Sequence, residues 1–136
     1  QPSISYFDLR NDHTKVIKRF ALFDYIANNA DRKGGHCIKD RNGRIWSVDH
    51  GLTFHSEYKL RTVIWDFGSQ HIPQDLISTL IRADKRFYRR GGLAQIMNGI
   101  LDDTEIRALN DRIQSLLSNP FFPEIKSRWD IPYPTI

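Results

Sequence analysis

The chain has 136 residues, 40% of them hydrophobic and 26% charged, with 20 Lys+Arg against 16 Asp+Glu. That is the composition and length of one folded domain, which excludes a disordered chain, and the formal charge of +4 favours an anionic partner without naming one. No apolar run reaches the roughly 18–20 residues of a membrane helix, no leader pattern opens the chain, and the lone Cys37 excludes an intrachain disulfide and points to a cytoplasmic, reducing setting.

The first element is helical. Val16, Phe20, Phe23 and Ala27 recur at helical spacing, and Ile17 and Leu22 widen that apolar face. Lys15, Lys18, Arg19 and Asp24 are expected to point away from it. The pattern stops at Asn28-Asn29-Ala30-Asp31, and Gly34-Gly35 enforces a break. A hairpin is predicted next. His36–Lys39 and Arg44–Val48 flank Asp40-Arg41-Asn42-Gly43, whose Asn-Gly pair suits a tight turn. Ile38, Trp46 and Val48 are its strand-like apolar positions, and Asp49-His50-Gly51 leaves its far end.

Residues 52–72 show no period. Pro73 opens a helix as a first-turn proline, with Leu76, Ile77, Leu80 and Ile81 as its buried stripe. A short helix over Leu93–Leu101 is expected to turn Ile96, Met97 and Ile100 inward. Asp102 with Glu105 three residues on reads as a capping box, and Ile106, Leu109, Ile113, Leu116 and Leu117 line one face behind it. Pro120 and Pro123 end that helix, and the Pro-containing tail Trp129–Ile136 is expected to pack as an extended strap. The fold class is therefore mainly α with one β-hairpin, an α+β domain spanning residues 1–136.

Chemistry concentrates around the hairpin. Asn29–His36 precedes it and Asp49-His50-Gly51 follows it, so pairing of the strands brings His36 and Asp49 together, with Asp31 a few residues upstream. Two carboxylates and a polar ligand around one pocket suit phosphoryl transfer. One carboxylate orients the accepting hydroxyl, the other holds Mg²⁺ on the nucleotide phosphates, and a nearby cation offsets developing charge. Each residue also has a plainer reading: Asp31 and Asp49 as turn residues, His36 as a structural histidine, and His13, His50, His55 and His71 as packing or surface groups.

The string Phe23-Asp24, Asn28-Asn29-Ala30-Asp31-Arg32-Lys33-Gly34-Gly35-His36, Val48-Asp49-His50-Gly51 and Lys59-Leu60-Arg61-Thr62 resembles the catalytic and metal-binding loops of the phosphatidylinositol 3-/4-kinase-like superfamily, in a small bacterial branch. The resemblance runs from about Tyr6 to the C-terminus. It implies a protein-kinase-like C-terminal lobe. Asp31 would be the catalytic aspartate, Asp49 the main magnesium ligand, and His36 would stand where most kinases carry a metal-binding asparagine. Arg32 or Lys33 would stabilise phosphate charge, and Lys59 and Arg61 would contact substrate or phosphate.

The implied cofactors are ATP and Mg²⁺, or Mn²⁺ given the imidazole at position 36. His36 in place of Asn and His50 in place of the usual Phe depart from the pattern. So does the stretch before Asp31, which holds no glycine and therefore no Gly-rich nucleotide loop. The expectation is a C-terminal lobe whose ATP-covering N-terminal lobe lies elsewhere, so that the isolated chain is inactive. The opening Gln1-Pro2-Ser3, without methionine, agrees with a piece of something longer. The acceptor is open between lipid, protein and small molecule.

Two other readings stand beside it. One is a metal-dependent hydrolase using His36, Asp49, His50 and His55. The other is a non-catalytic pseudokinase or polyanion-binding domain, built on the basic run Arg82, Lys85, Arg86, Arg89 and Arg90. That run also reads as compensation of a helix dipole on a solvated face. No nucleic-acid-binding motif accompanies it.

Overall fold

A computed structural model describes residues 4–136, so Gln1-Pro2-Ser3 lies outside the described residues. The elements run α1 (Tyr6–Leu9), α2 (Thr14–Ile26), β1 (Cys37–Lys39), β2 (Ile45–Ser47), α3 (Gln74–Arg86), α4 (Leu93–Met97) and α5 (Asp103–Ser118). Short 3₁₀ turns at Gly34–His36 and Arg128–Asp130 precede β1 and enter the tail. The fold is thus mainly helical with one small antiparallel sheet. Among the described residues, no helix is long and apolar enough to cross a membrane.

Two clusters form the core. The larger joins Tyr6, Ile17, Leu22, Cys37, Ile45, Ile64, Ile72 and Leu80 with their neighbours. The smaller joins Phe87, Ile106, Leu109 and Ile113, with Phe54, Leu93 and Met97 packed against it. α5 follows its pattern closely. Asp102 accepts from the Glu105 amide at 2.8 Å, Glu105 accepts from the Asp102 amide at 3.0 Å, and Ile106, Leu109, Ile113 and Leu116 are buried. The reciprocal bonds satisfy two amides that a helix start leaves without partners.

The hairpin forms in the expected place with a longer turn. Cys37 pairs with Ser47, Ile38 with Trp46, and Lys39 with Ile45. Asp40 and Arg44 then close around three residues, the Asp40 amide donating to the Arg44 carbonyl at 2.9 Å. Only Gly43 of the Asn-Gly pair is left-handed, at φ 82°. This is the three-residue hairpin loop rather than the two-residue one. Cys37 and Ile45 face the core, while Ile38 and Trp46 pair on the outer face under the Arg44 guanidinium.

Four local expectations are corrected. Asp24 is fully buried rather than turned outward. It lies seven residues after buried Ile17, on the same helix face. Pro73 caps α3 from outside its first turn. Ile81 is partly exposed, so the α3 stripe narrows to Leu76 and Leu80 with Ile77 at its edge. Ile96 and Ile100 face solvent, because α4 stops at Met97 and the chain turns at Gly99, where φ is 85°. The tail does pack as a strap. Asp130 accepts through its carbonyl from the Thr62 amide and the Trp65 indole, and Thr135 accepts from the Gly34 amide.

Candidate active site

The site grows from the end of α2. Asn28 adopts left-handed backbone, φ 52°, which asparagine tolerates and most side chains do not. This stops the helix and turns its amide to the segment after the hairpin. The Asn28 Nδ2 donates to the carbonyls of His55 and Glu57 at 2.9 and 2.6 Å, and its Oδ1 accepts from the Lys59 amide at 2.8 Å. Asn29 works in the other direction. Its Nδ2 donates to Asp24 and its Oδ1 accepts from the Asp31 amide at 3.0 Å, closing an Asx turn.

Beneath that turn lies a buried ion pair. The Arg32 Nε and Nη2 both donate to the Asp24 carboxylate, with Nη2 to Oδ1 at 2.8 Å, and neither side chain is exposed. The remaining nitrogen, Nη1, donates to the carbonyl of Val48 at 2.8 Å and reaches that of His36 at 3.5 Å. One guanidinium therefore joins α2, the Asp31 loop and both ends of the hairpin. Low polarity around it strengthens these bonds and makes any loss costly.

Above this base the hairpin ends meet. The Val48 amide donates to the His36 carbonyl at 3.0 Å, and His36 Nε2 lies 3.5 Å from Asp49 Oδ2. Asp49 takes left-handed backbone, φ 58°, and its side chain is mostly exposed. Phe54, φ 65°, is held by a bond from its amide to the Ala27 carbonyl. Asn28 and Asp49 tolerate this backbone, whereas for Phe54 it is costly and is held in place by that bond. Asp31 is partly exposed, with the Lys33 ammonium 3.9 Å from its Oδ2. Lys59 and Arg61 dock by their backbones: the Lys59 amide on Asn28, the Arg61 amide on the Asn29 carbonyl, and the Arg61 carbonyl under the Arg32 amide. Both of their side chains are exposed.

One role assignment changes on this geometry. Arg32 cannot reach a phosphate, because it is wholly buried and committed to Asp24 and Val48. It is a positioning residue, and Lys33 is the cation beside Asp31. His36 lies between the Lys33 amide and Asp49. Its Nδ1 accepts from the Lys33 amide at 3.2 Å, and its Nε2 lies 3.5 Å from Asp49 Oδ2. His50 and His55 are also engaged elsewhere, His50 Nε2 with Ser47 Oγ at 2.9 Å and His55 Nδ1 with the Glu57 amide at 3.0 Å. Desolvation, with the Arg32 charge adding to it, holds the His50 pKa below the usual imidazole range.

Among the described residues, no three His, Cys, Asp or Glu side chains gather to hold a metal ion. The basic run from Arg82 to Arg90 shares no hydrogen bond or ion pair with these loops among the described residues. The buried roles of Asp24, Asn28 and Asn29 were missed in the sequence pattern. The available signal was a carboxylate at helical spacing from Ile17, followed four residues later by an asparagine.

No family model matches the chain. A relative does: Protein Rv2133c of Mycobacterium tuberculosis is 40% identical over 118 residues, which are 87% of this chain and 42% of that protein. The chain therefore spans less than half the length of this relative. No solved structure matches.

Proposed function

We propose that this chain is the C-terminal, metal- and acceptor-binding lobe of a phosphatidylinositol 3-/4-kinase-like, ATP-dependent phosphotransferase. The observation that carries the reading is the convergence of Asp31 and Asp49, eighteen positions apart, on one base. Arg32 supplies that base by binding Asp24 on one side and Val48, the neighbour of Asp49, on the other. The length of the relative beyond the match leaves room for a nucleotide-covering lobe.

The donor chemistry fits a hard cation. Asp49 offers an exposed carboxylate, and oxygen donors of this kind suit Mg²⁺. Bound Mg²⁺ with ATP supplies charge neutralisation on the transferred phosphoryl group. Each residue of the chain then has a separate task. His36, whose Nε2 lies 3.5 Å from Asp49 Oδ2, stands with Asp49 at the metal position. Asp31 accepts the proton of the attacking hydroxyl and aligns it. Lys33, beside it, offsets charge on the incoming phosphate. Lys59 and Arg61 extend from the docked segment to meet an anionic part of the acceptor.

The test uses the full-length protein. Asp49→Ala should abolish Mg²⁺-dependent ATP consumption and the broadening by Mn²⁺ of resonances around the hairpin. Asp31→Asn should abolish phosphoryl transfer while leaving the Mn²⁺ effect in place. Undiminished ATP consumption in Asp49→Ala overturns the assignment. ATP consumption absent from the wild type, with Mn²⁺ binding also absent, identifies a non-catalytic relative of the fold instead.

A further inference from the structure

The basic run at the end of α3 stands apart from the candidate active site, and its surroundings give it a chemistry of its own. Arg82, Lys85, Arg86, Arg89 and Arg90 are all exposed, and none forms an ion pair among the described residues. The single carboxylate within the run, Asp84, is turned to the side-chain amide of Gln114 on α5. A helix dipole is compensated within its last turn, and Arg89 and Arg90 lie beyond the end of α3.

Large apolar side chains are exposed within and after this run. Ile96 is 60% exposed, Ile100 75% and Tyr88 66%. Arg82, Arg86 and Ile96 line one open depression of about 500 Å³ together with Gly91, Gly92 and Leu93. A neighbouring hollow brings Tyr88 beside Gln95, Asn98 and Arg107, with Asp103 as the one acidic group on its rim. The close fold-back is built in: a Cβ on Gly92 would run into the Arg86 carbonyl, so only glycine lets α4 return against the end of α3. Gly99 then turns the chain so that Ile96 and Ile100 both project.

We infer that this corner is a peripheral docking surface for an anionic lipid bilayer, with the five cations on the headgroups and Ile96 and Ile100 entering the interfacial layer. Charge complementarity selects an anionic partner. Two projecting aliphatic side chains select a partner with an apolar interior, which a phosphate backbone lacks, and Tyr88 suits the boundary between the two. The inference does not depend on the phosphotransferase reading, since none of its residues belongs to that site.

The experiment is flotation of the purified 136-residue chain with vesicles of phosphatidylcholine alone and of phosphatidylcholine with phosphatidylserine. Binding is expected only to the second, weakening as salt is raised. Arg89→Ala/Arg90→Ala should lower partitioning by roughly fivefold per arginine removed. Ile96→Ser/Ile100→Ser should lower it about tenfold with the charges intact. All four positions are exposed, and the helical circular dichroism of each variant checks its folding. Equal binding to both vesicles, no binding to either, or insensitivity to the isoleucine change overturns the proposal. Tight binding to a single-stranded RNA with none to vesicles overturns it in favour of a nucleic-acid partner.

Discussion

Removing the Asp24 carboxylate should be among the most damaging single changes in the protein. In Asp24→Ala, the Arg32 guanidinium keeps its bond to Val48 but loses its carboxylate partner while remaining buried. Asn29 loses a hydrogen-bond acceptor at the same time. Breaking a buried pair from one side costs about 3–5 kcal/mol, a large share of the roughly 5–15 kcal/mol that holds a domain together. With a urea slope of about 2 kcal/mol per molar, the midpoint should fall by about 2 M. Replacing both partners, as Asp24→Leu/Arg32→Met, should recover part of that loss because no uncompensated charge remains. The cycle of single and double variants isolates the coupling. A loss below about 1 kcal/mol in Asp24→Ala would refute the view that the pair is a dry keystone, since exposed pairs reach only that size.

Other outcomes follow from the same geometry. Cys37 is buried on the inner face of the hairpin, and desolvation pushes its thiol up to about 11. Thiol reagents at neutral pH should therefore label it only as fast as the protein opens, measured by mass shift against time in increasing urea. The Asp40 carboxylate is held below its ordinary 3.8 chiefly by the Trp46 indole N–H, with the Arg44 amide next. A depressed carboxylate stabilises the fold above its unfolded value, and that contribution is lost as pH falls through the lower folded value. The Trp46 indole resonance should accordingly titrate with a midpoint below 3.8. Gly92→Ala should destabilise the α3–α4 corner by about 1–3 kcal/mol, since the new Cβ meets the Arg86 carbonyl. In full-length protein, His36→Gln should retain part of any Asp49-dependent activity that His36→Leu loses, because an amide keeps a polar group beside Asp49.

The elements readable in the sequence were those whose signals are local. The α5 capping box needs only Asp102 and Glu105, and its stripe repeats over four turns. The hairpin needs only Gly43 between two short apolar runs. The segment from Leu52 to Ile72 gave no such pattern, because its order comes from distant partners. Asn28 holds the carbonyls of His55 and Glu57, Arg32 pairs by backbone with the Arg61–Val63 stretch, and Asp130 receives the Thr62 amide. Ile96 and Ile100 misled for the opposite reason. Their spacing fits a helix, but α4 ends too early to carry both onto one buried face.

The same distinction separates the residues of the candidate site. Asp31, His36 and Asp49 were legible because a hairpin fixes the distance between its own ends, whatever surrounds it. Arg32 was legible as a member of a motif but not in its role. Its neighbours in sequence are a carboxylate and a lysine, a setting that suggests phosphate, whereas its partner in space is a carboxylate on the preceding helix. Sequence spacing alone cannot distinguish a cation that faces a ligand from one that holds the loops facing it. Burial distinguishes them: Lys33 and Asp31 keep access to solvent, and Arg32 and Asp24 have none. A basic residue inside a loop motif is best assigned by asking which carboxylate the preceding helix turns inward, and here the answer was already present as Asp24, one turn before Asn28.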